Sequence, residues 1–145
     1  MNEQTQRLES QPELPPKLCR NQQKQDSWDC DLLRAVITST PEILFFKDLD
    51  GVYLGCNQLF ADFVGRSTEE IVGKKDTDLF PVDIAQSFRS YDQRVLTASK
   101  PLHNEEWVTY PDGTKLLVDT FKAPIFGSDG NKVGLLGVSR DITDR

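Results

Sequence analysis

Three Asp-Gly pairs constrain this chain more than any other feature in it. Asp50-Gly51, Asp112-Gly113 and Asp129-Gly130 each sit between two strand-like runs. Such a pair takes the tight turn that joins antiparallel neighbours, because glycine adopts the positive φ the turn requires. A parallel crossover would need a dozen residues or more. The runs are Glu42 to Lys47 and Val52 to Cys56 around the first pair, then His103 to Tyr110, Thr114 to Ile125 and Lys132 to Arg140 around the other two. Within the last run, Val133-Gly134-Leu135-Leu136-Gly137-Val138 is apolar at both parities. A strand of that kind is covered on both faces, so it belongs in the middle of the sheet, beside the first hairpin.

Between the two groups of strands the period changes from two to that of a helix. Gln58 to Val64 places Leu59, Phe60, Phe63 and Val64 on one side, with Gly65 as its C-terminal cap. Ser67 and Glu70 have capping-box spacing, and Gly73 ends that second piece. A turn over 76–80 leads to Pro81 and a long helix from about Val82 to Ser99. Its apolar positions Ile84, Phe88, Tyr91 and Val95 predict one inward stripe. Ahead of the strands, Trp28, Leu32, Leu33, Val36 and Ile37 recur at helical spacing and predict an amphipathic helix over about 27–38. Pro41 closes it, since proline disfavours a helical Thr40. Residues 1–25 hold six glutamines, three prolines and no period, and read as a polar leader or linker, partly disordered. The folded domain is expected over 26–145.

Composition narrows the function. Hydrophobic residues are 37% and charged residues 28%, the balance of a globular chain. A net charge of −6 argues against a nucleic-acid surface. No apolar run approaches the ~20 residues needed to cross a bilayer, so no membrane contact is expected from this segment. A cytoplasmic setting is expected, with any membrane anchor elsewhere in an intact protein. Cys19, Cys30 and Cys56 make an odd count without a Cys-x-x-Cys pair, which disfavours a disulfide framework and a structural metal.

Catalysis is not expected. Glu105 and Glu106 are adjacent, so on a strand they point to opposite faces and form no acid–base couple. No nucleophile elbow or phosphate-binding glycine loop occurs. Cys56 and His103 read as a buried thiol and a rim or exposed imidazole rather than a nucleophilic pair. Asp48-x-Asp50-Gly51 lacks the closing glutamate of a calcium loop and reads as a turn.

The order of elements is strand, strand, three short helical pieces, long helix and three antiparallel strands. Together with Phe46-Lys47-Asp48-Leu49-Asp50-Gly51, Gly55-Cys56-Asn57-Gln58-Leu59-Phe60, Tyr110-Pro111-Asp112-Gly113 and Arg140-Asp141-Ile142-Thr143, it resembles the PAS family over about 28–145. The resemblance implies an α+β PAS fold: a five-stranded antiparallel sheet, helices on one face and the N-terminal amphipathic helix on the other. The flanking helix would then span about 27–38 and the core about 42–143.

The resemblance also implies a sensor. Relatives that form a flavin–cysteine adduct carry a cysteine just before the long helix, where this chain has Gly73 to Phe80 with none. Haem-binding relatives place a histidine on the long helix, and this one has none. A small organic ligand or no ligand remains, and no motif addresses non-covalent flavin. The expected pocket walls are Phe60, Phe63, Phe88, Tyr91, Val95, Leu117, Phe121 and Leu135, with Tyr91, Arg94, Asn104, Glu106 and Thr109 as polar anchors. The same aromatics also read as packed core, and the sequence leaves both open. Cys56 stands either as a buried structural thiol or as a redox-sensitive one. Asp141, Ile142 and Thr143 are implied to pass a signal to a covalently linked C-terminal effector. The stretch Asn104 to Gly113 resembles PAS domains ahead of cyclic-di-GMP (GGDEF/EAL) output domains. Histidine-kinase input domains and ligand-free dimerisation modules are the alternatives. Trp28, Leu32, Leu33 and Val36 are expected to face a second copy in a homodimer.

Overall fold

The sheet is laid out around its last strand. In the computed structural model, which describes residues 24–143, the elements run α1 (Lys24–Ser39), β1 (Ile43–Asp48), β2 (Tyr53–Cys56), α2 (Gln58–Val64), α3 (Thr68–Ile71), α4 (Asp76–Leu79), α5 (Val82–Ala98), β3 (Leu102–Thr109), β4 (Lys115–Phe126) and β5 (Lys132–Asp141). The five strands form one antiparallel sheet in the order β2-β1-β5-β4-β3. β5 therefore lies between β1 and β4, as its two-sided apolar pattern demands. The expected leader over 1–25 lies almost wholly outside the described residues, as does the side chain of Trp28.

Local chemistry sets the turns. The Asp48 carboxylate accepts from the amides of Asp50 and Val52 at 2.9 Å each, while Gly51 takes φ 87°. Asn57 does more than cap α2. Its Oδ1 accepts from the amides of Phe60 and Leu44 at 3.1 Å each, and its Nδ2 donates to the Glu42 carbonyl at 2.6 Å. One buried side chain thus fixes the start of α2 against the start of β1. Ser67 and Glu70 close the capping box on α3.

Two cores flank the sheet. The inner one joins Ile43, Phe45, Tyr53, Cys56, Phe60, Ile71, Val95 and Leu135, beneath α2 to α5. Close approach is built in: a Cβ at Gly137 would run into the ring of Phe45. The outer core is small, with Ile37, Leu44 and Phe46 buried against Leu54, Ile125, Leu136 and Val138.

Two expectations need correction. α1 covers only one end of the outer face: Ile37 is 2% exposed, but Leu32, Leu33 and Val36 are 52%, 39% and 49% exposed. The stripe on α5 is also rotated. Ala85, Asp92, Val95 and Leu96 are buried, whereas Ile84 is exposed. The inward row includes a carboxylate, so an apolar pattern alone selects the wrong neighbours.

Candidate functional site

The inner face of the sheet carries charge where an alternating strand would place hydrophobics. Lys47 on β1 and Lys122 on β4 are almost wholly buried, as are Asp76 on α4 and Asp92 on α5. Lys47 Nζ reaches Asp76 Oδ2 and Asp92 Oδ2 at 2.7 Å each. Lys122 Nζ reaches Asp92 Oδ1 at 2.6 Å. The Tyr53 hydroxyl donates to Asp76 Oδ1 at 2.5 Å. Two ammonium groups thus face two carboxylates, and each carboxylate oxygen accepts one bond. Burying an ion costs several kcal/mol unless its partners are close and well aimed, and here they are. The network ties α4 and α5 to β1 and β4.

Aromatic rings complete the solvation. Lys47 Nζ lies 4.8 Å from the Tyr53 ring centre and 5.6 Å from that of Phe45. Lys122 Nζ lies 4.9 Å from the Tyr91 ring and 5.7 Å from those of Phe45 and Phe88. Such contacts offset part of a desolvated ammonium's lost hydration. Burial still pulls the Lys122 pKa below its usual value, against the pull of Asp92. Burial, reinforced by Asp76, pushes the Tyr53 phenol well up, so it stays a donor.

Beside this network lies a cavity with about 30 Å³ of free space, lined by Ile43, Phe45, Lys47, Tyr53, Phe60, Phe63, Phe88, Glu106, Val108, Val118, Thr120, Lys122 and Ser139. That volume holds one or two waters. At its β3 side, Glu106 Oε2 accepts from the Thr120 hydroxyl at 2.9 Å, and Thr120 and Ser139 share a hydrogen bond of 2.9 Å.

The expected pocket residues fall in five places. Phe60, Phe63, Phe88 and Glu106 line the cavity. Val95 and Leu135 are buried in the core around it. Tyr91, Arg94 and Asn104 line a separate groove with Ser87, Ser90, Leu102 and His103, where the Arg94 guanidinium sits 5.9 Å from the Tyr91 ring. Thr109 is exposed near the end of β3. Leu117 and Phe121 belong to the opposite face of the sheet. β4 alternates, and Val118, Thr120 and Lys122 point inward, so the odd positions point out. Phe121 lines an outer depression with Glu42, His103, Asp119, Val138 and Arg140.

Sequence reasoning missed Lys47, Tyr53, Asp76, Asp92, Thr120, Lys122 and Ser139. Their signal was parity: Val118-x-Thr120-x-Lys122 keeps one face, and Lys47 follows Ile43 and Phe45 at intervals of two. Reading inwardness from hydrophobicity inverted the assignment on β4. Cys56 differs from a low-pKa sensor thiol. It is 4% exposed, and burial pushes its pKa up to about 12. His103 lies on the outer face, 3.3 Å from Asp119, away from the inner core that holds Cys56. Among the described residues no cluster suits a metal ion, and no helix is long and apolar enough to cross a membrane.

The C-terminal end of β5 is fastened to β4. The Ile142 amide donates to the Leu117 carbonyl at 2.9 Å, and the Leu117 amide donates to Thr143 Oγ1 at 3.1 Å. Asp141 Oδ1 accepts from the Thr143 hydroxyl and amide, at 2.6 and 2.9 Å. Those bonds hold the Asp141 carboxyl below its usual range.

Known proteins share this fold. A family model described as the PAS fold matches residues 37–145. The aerobic respiration control sensor protein ArcB of Escherichia coli (strain K12) is 31% identical over 113 residues, covering 78% of this chain and 14% of ArcB. A diguanylate cyclase of Vibrio cholerae is 30% identical over 121 residues, covering 82% of this chain and 38% of the cyclase. The chain therefore spans well under half the length of either relative. The solved PAS domain of Bordetella pertussis BvgS superposes with a TM-score of 0.70 at 25% identity, covering 81% of this chain and 88% of that one.

Proposed function

This chain belongs to the PAS family, a sensory domain of histidine kinases and diguanylate cyclases, and we propose that its sensing element is the cavity between the sheet and α2 to α5. A small molecule enters there and shifts β4 and β5, and the shift leaves the domain through Asp141, Ile142 and Thr143. One observation carries this reading. Ser139 stands in the cavity wall and, two residues later, the same strand reaches Asp141. A ligand touching Ser139, or the Thr120 bonded to it, acts on the strand that ends the domain. A ligand shifts a two-state element only through such differential contact.

The output is read as a histidine-kinase phosphorelay, supported by the match to the sensor protein ArcB. Cyclic-di-GMP synthesis is the second reading, supported by the match to the diguanylate cyclase and by the Asn104 to Gly113 stretch. A homodimer through the exposed row Leu32, Leu33 and Val36 accompanies either reading. Neither haem nor a flavin–cysteine adduct is part of the proposal.

The test fills the cavity. Ser139→Thr in the intact protein, whose added methyl group matches the free space of about 30 Å³, is expected to blunt the response of the output to the native stimulus while the circular dichroism spectrum stays unchanged. A full response in that variant would remove the cavity from the signalling path. Assaying the same intact protein for autophosphorylation and for cyclic-di-GMP synthesis separates the two outputs.

A further inference from the structure

The unused hydrogen-bonding capacity of the cavity specifies a ligand class, and this inference rests on the cavity being the sensing element. Lys122 Nζ has three protons and spends one on Asp92. The other two have no hydrogen-bond partner among the described residues. Lys122 is in the cavity lining, and its Nζ stands among the rings of Phe45, Phe88 and Tyr91. Glu106 Oε2 accepts from Thr120, and Glu106 Oε1 has no hydrogen-bond partner among the described residues. Ser139 and Thr120 are committed to each other and to Glu106. The cavity lining therefore holds unspent donor capacity at Lys122 and unspent acceptor capacity at Glu106.

The lining presents a charge of each sign to a guest, which disfavours ions. Lys47 and Lys122 balance Asp76 and Asp92, two against two, and Glu106 adds one negative charge. An anionic ligand would meet Glu106 as a like charge in a low-dielectric site. A cationic ligand would lie against Lys122, whose spare protons can only repel it. The walls between the two groups are the rings of Phe45, Phe60, Phe63 and Phe88. Flat surfaces favour a flat guest, since rings gain most by offset stacking or edge contact.

We propose that the cavity takes a small, planar, uncharged molecule whose one edge carries a hydrogen-bond acceptor beside a donor, as in an aromatic or ring amide. The acceptor meets Lys122 and the donor meets Glu106. The bound molecule replaces the one or two waters that the free space holds. With only about 30 Å³ free, entry requires the phenylalanine walls to move apart, which makes binding a conformational event.

Three isosteric probes decide it: benzamide, benzoate and benzamidinium, titrated into the domain at millimolar concentration and followed by amide NMR shifts at Thr120, Lys122 and Ser139. Benzamide is expected to shift these amides and to bind at least tenfold tighter than either ion. Lys122→Met is expected to weaken benzamide about tenfold. Where that variant loses its fold, Glu106→Gln serves instead: it should narrow the preference for benzamide over benzoate, because the like charge is gone. Benzoate or benzamidinium binding as tightly as benzamide would overturn the ligand class and leave the cavity as a binding site. No perturbation of these amides by any of the three would overturn the class and the cavity reading together.

Discussion

The two faces of the sheet differ in how their polar and apolar side chains are covered. On the inner face Lys47, Thr120, Lys122 and Ser139 are buried, while on the outer face Leu54, Ile125, Leu136 and Val138 are only half-covered. The inner charges are satisfied one by one by Asp76, Asp92, Tyr53 and Glu106. Among the described residues the outer apolar side chains have only Ile37 of α1, Leu44 and Phe46 as buried companions, and Trp107 and Phe121 stand 64% and 42% exposed. A polar interior with aimed partners is specific. Its partners are fixed in place, so a guest that disturbs them has a defined effect. An apolar exterior is unspecific and only asks to be covered.

The largest test of this contrast removes the hinge of the inner network. Asp92→Ala leaves both ammonium groups short of a partner, and a loss of about 3–5 kcal/mol is expected by urea denaturation. The double variant Asp92→Leu with Lys122→Met removes a charge of each sign and should recover most of that loss, since Lys47 keeps Asp76. Recovery of nothing would mean that the charges serve more than mutual neutralisation.

On the outer face, Ile37→Ala should cost about 2–4 kcal/mol by emptying a buried site that anchors α1. Leu32→Ala should change the stability of the monomer by less than about 0.5 kcal/mol. It should instead lower self-association in light scattering. Equal losses for the two variants would mean that α1 is covered along its whole length.

The last effect appears only at alkaline pH and separates Cys56 from a redox role. Its folded pKa of about 12 lies above its ordinary value of 9.0. A group raised on folding contributes stability that is complete below its unfolded pKa and lost as pH climbs through the folded one. Stability should therefore fall across about pH 9 to 12, by at most roughly 1.4 kcal/mol per pH unit from this thiol. Tyr53 adds a loss of the same sign above about pH 10. The Cys56→Ala variant should show the shallower slope left by Tyr53, Tyr91 and Tyr110. An identical slope in both proteins would place the thiol in solvent.

The fold was legible because its signals are local. Asp-Gly turns, the Ser67–Glu70 box, Pro81 and the doubly apolar β5 each act over a few residues, and every strand and helix boundary they predicted lies close to the observed one. The site was legible only in part. Phe60, Phe63, Phe88 and Glu106 were found because aromatic and acidic residues near a helix–sheet gap attract notice. Leu117 and Phe121 were misplaced because hydrophobicity was read as inwardness, and β4 faces the other way.

The sequence by itself determined the order of elements, the antiparallel pairing and the central place of β5, since these follow from period, turn chemistry and parity. Only the tertiary structure decided that Lys47, Asp76, Asp92 and Lys122 meet. Asp76 is 29 residues from Lys47, Asp92 is 45 residues from it, and Lys122 is a further 30 residues from Asp92. A lone lysine in a strand reads as solvent-facing, because burying it alone would be prohibitive. It becomes tolerable inside only when the fold brings carboxylates to 2.7 Å from it, and no local pattern records that meeting.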